Sequence, residues 1–505
     1  MKNLFNSVKM TRPPQNRFDL SHDVKLSCEM GNLVPTCVME AIPGDRFNIG
    51  CDSLLRFAPL VAPVMHRMDV SMHYFFVPNR ILWDGWEDYI TNTEVGGSLP
   101  AVPFLNTTGE GATYSKLMNY MGVPPQTAGY ANNEKVSAFA FAAYQMIYNE
   151  YYRDQNLQAE IDFKLVDGDN GANAALIEMR RRAWEHDYFT ACLPFAQKGD
   201  PVTIPIAGFE DVAVKVDNSN GNTASWTTNL SGGGTQPAVM PQENTDIFPA
   251  NSDRLYADTS SLDAQAATIN DLRRAFRLQE WLEKQARGGS RYTENILAHF
   301  GVKSSDARLQ RPEYITGTKS PVIISEVLNT TGTDDSPQGN MAGHGISVTQ
   351  GKYGSYMCEE HGYVIGIMSV MPKTAYQQGI PKHFLKFTDP FQYYWPAFAN
   401  IGEQEVDNSE VFAYNAPGTF GYVPRYAEYK FMNNRVAGDF QTTLDFWHLG
   451  RIFSAPPALN GDFISCDPGK RIFAVTDPDI DSIWAHVLHK ISAVRSMPKF
   501  GTPTT

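Results

Sequence analysis

A chain of 505 residues with 42% hydrophobic and 19% charged residues can bury a sizeable core and is globular rather than disordered. Its formal net charge of -13 excludes a grip on nucleic acid over the whole surface, because phosphate contact needs clustered Lys and Arg. Any such contact is confined to local basic stretches or shared with a basic partner.

Residues 1–25 carry Lys2, Lys9, Arg12, Arg17 and Lys25 against Asp19 and Asp23, and Pro13-Pro14 disfavours helix. The reading is an extended basic arm, either a mobile terminus or a segment touching nucleic acid or a neighbouring chain. Residues 26–65 read as strands and turns, with a turn at Pro43-Gly44-Asp45 and alternation of Phe47, Ile49 and Cys51. From Met68 to Phe76 apolar residues fall on every second position, with Arg67, Asp69, Ser71 and His73 between them. That period predicts a half-buried strand ending near Val77, before Pro78. Trp83, Trp86 and Tyr89 follow at helical spacing.

Residues 91–133 are rich in Gly, Pro, Asn and Thr and read as a long surface loop. Residues 134–152 predict a helix with one apolar face of Val136, Phe139, Ala140, Ala143, Ile147 and Tyr151. The triplet Arg180-Arg181-Arg182 beside Trp184, Tyr188 and Phe189 fits either single-stranded nucleic acid or a solvated turn before a buried aromatic strand; its shortness favours the turn. Residues 200–263 hold nine acids and two bases, a net of -7, with Gly232-Gly233-Gly234 among them. Such an insertion faces solvent and avoids DNA.

Residues 268–287 predict a second helix, with Leu272, Phe276, Leu278 and Leu282 on its apolar side and Gly288-Gly289 as its stop. Residues 290–345 read as a connection with a strand-like Pro321 to Ile324, and 361–372 as a strand buried on both faces. Pro390 to Phe398 (PFQYYWPAF) is an aromatic patch that either closes a core or forms an interface. The basic tail 483–505 fits helix and strand equally by period.

Chemistry is sparse. No P-loop, GxGxxG, GxSxG or HExxH occurs. The six cysteines, Cys28, Cys37, Cys51, Cys192, Cys358 and Cys466, form no CxxC pair, which argues against zinc and for free thiols in a reducing cytosol. Cys358-Glu359-Glu360-His361 is the nearest approach to a metal cluster, but strand neighbours point opposite ways. Asp69 and Asp389 read as solvated or salt-bridged acids rather than ion ligands. No signal peptide is read at the start. The longest apolar stretch, Tyr363 to Met371, is far short of the ~18 residues that span a bilayer. No catalytic, metal or cofactor site is expected.

Several segments, in order along the chain, resemble the major capsid protein of the Microviridae, especially its gokushovirus-like branch. They are RFDLSHDVK from Arg17, YFFVPNRILWDGW from Tyr74, AYQMIYNEYYRDQN from Ala143, DYFTACLPFAQKG from Asp187, the stretch from Asp271 to Tyr314, Gln377-Gln378-Gly379, YVPRYAEY from Tyr422 and VRSMPKFGTP from Val494. The resemblance implies an all-β fold, an eight-stranded viral jelly roll with long interstrand insertions containing some helices, in one domain spanning 1–505. It implies a T=1 icosahedral shell of identical subunits around circular single-stranded DNA, found in the virion and assembled in the bacterial host cytoplasm. A small basic DNA-binding protein and an internal scaffolding protein are implied as partners.

On this resemblance the tail is a strand, and the insertion at 200–263 projects at the three-fold axes to meet a bacterial host receptor. Trp226, Asn229, Phe248 and Tyr256 are its candidate contacts. Arg12, Arg17, Arg495 and Lys499 are the candidate DNA-facing residues. The competing reading is a carbohydrate-binding or carbohydrate-cleaving β-sandwich. An enzyme of that kind needs two convergent carboxylates, for which the sequence has no motif.

Overall fold

The computed structural model describes residues 13–94, 98–106, 115–124, 135–202, 269–328, 341–351, 353–414 and 416–500, with the backbone of 214–216 and 255–257. Five strands open the chain: β1 (Asn16–Asp19), β2 (His22–Cys28), β3 (Val34–Ala41), β4 (Arg46–Phe57) and β5 (Met68–Pro78). The described part of the basic arm is therefore paired structure. Gly44, at φ +91°, turns the chain between β3 and β4, a conformation that carries no Cβ penalty in glycine. Phe47, Ile49 and Cys51 point inward from β4 as their alternation predicts.

β5 departs from the half-buried expectation. Met68, Val70, Met72, Tyr74 and Phe76 enter one core, while Phe75 and Val77 enter another. The polar residues of the second face are satisfied inside the protein: the Ser71 hydroxyl lies 3.1 Å from that of Ser369, and His73 Nδ1 lies 2.8 Å from Tyr152 Oη. Hydrogen bonding lets these positions be covered at little cost.

The covering layer comes from the next stretch, which contains α1 (Trp86–Ile90), β6 (Phe104–Asn106), α2 (Lys116–Tyr120), β7 (Lys135–Ser137) and α3 (Phe139–Ile147). Among the described residues of 91–133, Leu105, Leu117 and Met118 are buried, so this is more than a surface loop. α3 starts later than the sequence suggests and ends in a π turn, Tyr148–Tyr152. It is enclosed nearly all round instead of on one face, because Gln145 donates to the carbonyls of Leu176 and Glu178 and Tyr144 donates to that of Leu33. Trp83 is buried in the same core, its Nε1 donating to Asp167 at 2.8 Å.

The chain divides into two compact units, Met1–Ala196 with Gln285–Thr505, and Gln197–Lys284. In the second, β8 (Val214–Val216) and β9 (Leu255–Ala257) pair antiparallel. α4 (Ile269–Arg287) is the expected helix, and Gly289 follows it at φ +94°. Its predicted apolar side is largely exposed, Phe276 by 64%.

The region read as a connection holds α5 (Tyr292–Phe300), β10 (Glu313–Pro321) and β11 (Ile323–Leu328). Then come β12 (Met341–Gln350), β13 (Gly354–Met357), β14 (Gly362–Pro372), β15 (Glu403–Asp407), α6 (Asn408–Val411), β16 (Thr419–Pro424), α7 (Gly461–Ile464) and β17 (Ile483–Arg495). β14 is buried on both faces as its sequence predicts.

Two antiparallel sheets dominate. One has seven strands, ordered β1-β17-β4-β12-β11, with β2 also on β17 and β13 also on β4; the other is β10-β5-β14-β3. The longest pairings join distant parts of the chain: β17 lies on β4 from Ile483↔Phe57 to Val494↔Arg46, and β14 lies on β5 from Gly362↔Pro78 to Pro372↔Met68. Residues of both sheets share one core, and the outer face of the four-stranded sheet packs on α3 and Trp83. A third cluster ties β15, β16, α6 and α7 to Tyr188 and Phe189. The fold is thus β-rich with several antiparallel sheets and helical insertions, in keeping with the β-rich, helix-containing fold that the resemblance implies.

The main core also contains buried histidine. His489 is fully buried, with Nδ1 2.7 Å from Tyr74 Oη. Burial holds its pKa down at about 4, and does the same for His66 and His73. The unfolded chain binds these protons below about pH 6.5, whereas the folded chain resists them until about pH 4. Their contribution to stability is therefore complete above about 6.5 and lost progressively as pH falls toward 4. Thermal unfolding of unassembled subunits across pH 7 to 4 should show that decline, and replacing His489 with Gln should flatten part of it.

Candidate assembly and genome-facing surfaces

β17 resolves the ambiguity of the tail. Ile483, Ala485, Val487, Ile491 and Ala493 point into the core, while Trp484, His486, Lys490 and Ser492 point out. Directly paired residues of antiparallel strands share a face. The register therefore sets Trp484 beside Arg56 and Ser27, His486 beside Lys25, and Val494 beside Arg46 and Arg17. The outer face of the seven-stranded sheet thereby carries Lys25, Arg56 and Trp484, which is 48% exposed, toward one end of β17, and Lys490, Arg46 and Arg17 toward the other. Asp19, Asp23 and Asp52 interrupt it; Asp52 pairs with Lys490, and Asp23 lies 3.0 Å from His486. Arg46 and Arg56 were not singled out by sequence, although the alternation of Phe47, Ile49 and Cys51 inward assigns the positions between them outward.

The four sequence-selected cations divide. Arg17 lies on this face and donates to Ser492 Oγ at 3.2 Å. Lys499 is exposed beyond the end of β17, and Arg12 lies outside the described residues. Arg495 turns the other way. Its Nε is 3.0 Å from Asp45, its Nη2 donates to the Glu40 carbonyl at 2.9 Å, and its guanidinium lies 5.6 Å from the Phe47 ring centre. The attachment candidates Trp226, Asn229 and Phe248 lie outside the described residues; Tyr256 falls on β9, where only backbone is described.

The arginine triplet is neither a nucleic-acid platform nor a solvated turn. Arg180 pairs with Glu178 at 2.8 Å and bonds Gln145, Arg181 pairs with Asp467 at 2.9 Å, and Arg182 donates to Ser71 and Ser369 at 2.6 and 2.9 Å. Three cations at adjacent positions thus reach three parts of the fold. Trp184, Tyr188 and Phe189 are buried, as expected, but in no strand.

The chemical candidates resolve as structural contacts. Both carboxylate oxygens of Glu360 accept from Arg80 at 2.9 Å, and His361 packs on Trp86. Among the described residues no group of His, Cys, Asp and Glu is arranged to hold a metal ion. All six cysteines are free and buried. Burial raises their thiol pKa values, that of Cys37 to about 12, which leaves them protonated and poor as ligands or nucleophiles. Asp69 lies 3.1 Å from both Lys319 and Lys373. Burial opposes ionisation of the adjoining Glu185, but hydrogen bonds from the same two lysines hold its pKa at about 2. Asp389 accepts from the Phe391 amide at 2.8 Å, capping a short turn.

No helix among the described residues is long and apolar enough to cross a membrane. What the geometry offers is surface: a sheet face rich in cations and the exposed aromatics near Trp395.

Residues 6–505 match the model of a phage family described as capsid protein (F protein). The chain belongs to that family. It is 33% identical over 593 residues to capsid protein VP1 of Chlamydia phage 1, covering 100% of this chain and 98% of the relative. It is 34% identical over 527 residues to capsid protein VP1 of Bdellovibrio phage phiMH2K, covering 99% and 97%. Capsid protein VP1 of Spiroplasma virus 4 is 30% identical over 541 residues, with the same coverage. Membership of the capsid family makes this chain a structural, self-assembling component of a phage particle, and surfaces that meet other molecules are its functional sites.

Proposed function

We propose that the chain is the major subunit of a microvirus-type particle. Its two antiparallel sheets carry an eight-stranded jelly roll, and identical copies close a T=1 icosahedral shell around circular single-stranded DNA. The observation that carries this reading is the match to a capsid family along nearly the whole chain. The cationic face of the seven-stranded sheet supports a genome-facing role for Arg17, with Arg12 and Lys499 on the adjoining tails. Arg495 acts there at one remove, by anchoring the end of β17. Trp484, beside Arg56 toward the opposite end of β17, offers a ring for base stacking. A small basic DNA-binding protein supplies the rest of the neutralising charge, an internal scaffolding protein guides assembly in the host cytoplasm, and the acidic insertion meets the host receptor.

Negative-stain electron microscopy of the purified chain, alone and with its phage partners, tests the shell directly, together with an assay of nuclease-protected DNA. Uniform small icosahedral shells containing protected single-stranded DNA are expected. Shells formed only with partners would assign assembly to scaffolding. Monomers or small oligomers in both preparations would overturn the reading.

A further inference from the structure

The sequence leaves open whether the aromatic stretch near Trp395 closes a core or meets a partner, and in the structure it closes nothing. Phe387, Tyr393, Tyr394, Trp395 and Tyr429 are exposed by 78, 54, 51, 52 and 56%. We propose that this ridge is a contact surface between copies of the chain in the shell; the inference rests on the shell reading above and names one of the surfaces that reading requires.

The ridge is held rigidly. Lys386 and Glu428 form a buried ion pair beneath it, with side chains 3 and 9% exposed. The Lys386 ammonium sits 4.0 Å from the ring centre of Tyr429 and 5.8 Å from that of Tyr393. Tyr393 donates to the Lys386 carbonyl at 3.2 Å, and Trp395 Nε1 donates to that of Pro390 at 3.2 Å. Tyr394 meets buried Tyr426 edge to face at 5.1 Å. Side chains fixed this way lose little further freedom on association.

Shape and area suit a protein partner. Phe387, Tyr393 and Trp395 share a cleft of about 440 Å3 with Thr388, Asp389 and Pro390, enough for a few inserted side chains. An aromatic residue buries about 150–250 Å2 when fully covered, so five half-exposed ones present roughly 500 Å2. A stable interface takes about 800 Å2 from each partner, and the ridge supplies most of that as the apolar centre, where aromatic residues dominate binding.

Charge selects a second copy over nucleic acid. Platforms for single strands join stacking rings to cations that neutralise phosphate. Here the cation beneath the rings, Lys386, is buried and neutralised by Glu428, while Arg425 and the exposed Lys430 are held on the Phe391 and Arg425 carbonyls.

The test uses the full chain, co-expressed with its particle partners, as the double variant Tyr393→Ala/Trp395→Ala and the single variant Phe387→Ala. Shell yield is read by sedimentation, DNA per shell by nuclease protection, and folding by thermal unfolding of unassembled subunits. The double variant should lose at least tenfold in shell yield with an unchanged unfolding midpoint, and Phe387→Ala should lose severalfold. Wild-type shell yield from either folded variant would overturn the proposal, as would normal yield with depleted DNA, which would reassign the ridge to nucleic acid. If the double variant misfolds, the more exposed Phe387→Ala decides alone. Failure of the wild-type chain to form shells would overturn the shell reading itself, and this surface with it.

Discussion

Particles built from a chain lacking residues 207–260 should assemble normally and fail to adsorb to host cells, with adsorption below a tenth of wild type. The segment lies in the compact unit Gln197–Lys284, so its removal spares both large sheets and their cores. The base of that unit stays closed without it: Gln197 bonds Gln279, and the Lys198 amide donates to the Leu282 carbonyl at 3.4 Å. The segment carries much of the insertion's excess of acid over base, which suits a surface turned away from DNA. Shell yield by sedimentation and free-particle depletion on host cells measure the two outcomes separately. Survival of adsorption would end the attachment role, and loss of shells would move the segment into the assembly contacts.

Local period was legible in β4, β5 and β14, and tertiary contact decided the rest. Every second residue of β4 and β5 announces its inward face. What β5 conceals is its other face, because Ser71 and His73 look solvated until Ser369 and Tyr152 arrive from distant parts of the chain. The tail fits both periods, and only its pairing with β4 along Ile483 to Val494 selects the strand. β10 was missed because Tyr-Ile-Thr-Gly-Thr-Lys-Ser is polar and weakly alternating; its place comes from lying on β5 with a bulge between Tyr314 and Thr316. α5 did leave a signal. The Glu294 carboxylate accepts from the Arg291 amide at 3.0 Å, and Gly301 ends the helix at φ +67°, a glycine stop recognisable in sequence.

Charge was the least legible property, because a cation's partner lies elsewhere in the chain. The arginine triplet reads as one basic cluster until Glu178, Asp467 and Ser369 divide it. Conversely, Arg17 and Arg46 lie far apart in sequence and are brought together, on the same face as Arg56 and Lys490, only through the register of β1, β4 and β17. This cationic face is thus a product of sheet topology more than of the basic arm alone.

Arg495→Ala should destabilise the unassembled subunit by about 3–5 kcal/mol, the usual cost of stripping one partner from a buried ion pair. Asp45 is 0% exposed at its side chain and Arg495 only 18%. Asp45 also accepts from the Ile42 amide at 3.1 Å, which leaves its charge held in place but poorly neutralised once the guanidinium is gone. Burial already raises the Asp45 pKa against the pull of that amide and of Arg495. Without Arg495 it should rise further, since an opposite charge favours the ionised form. A carboxyl whose folded pKa lies above its unfolded value costs stability at high pH and returns it as pH falls through the folded pKa. The deficit of Arg495→Ala relative to wild type should therefore shrink as the pH is lowered from 7, and Asp45→Asn should relieve part of it at pH 7. Arg17→Ala, on the outer face of the same sheet, should leave the subunit's unfolding midpoint within a degree or two and instead lower the DNA retained per shell, with the deficit relative to wild type shrinking as salt is raised. Equal behaviour of the two variants in both assays would mean that the division between strand anchor and genome-facing cation is wrong.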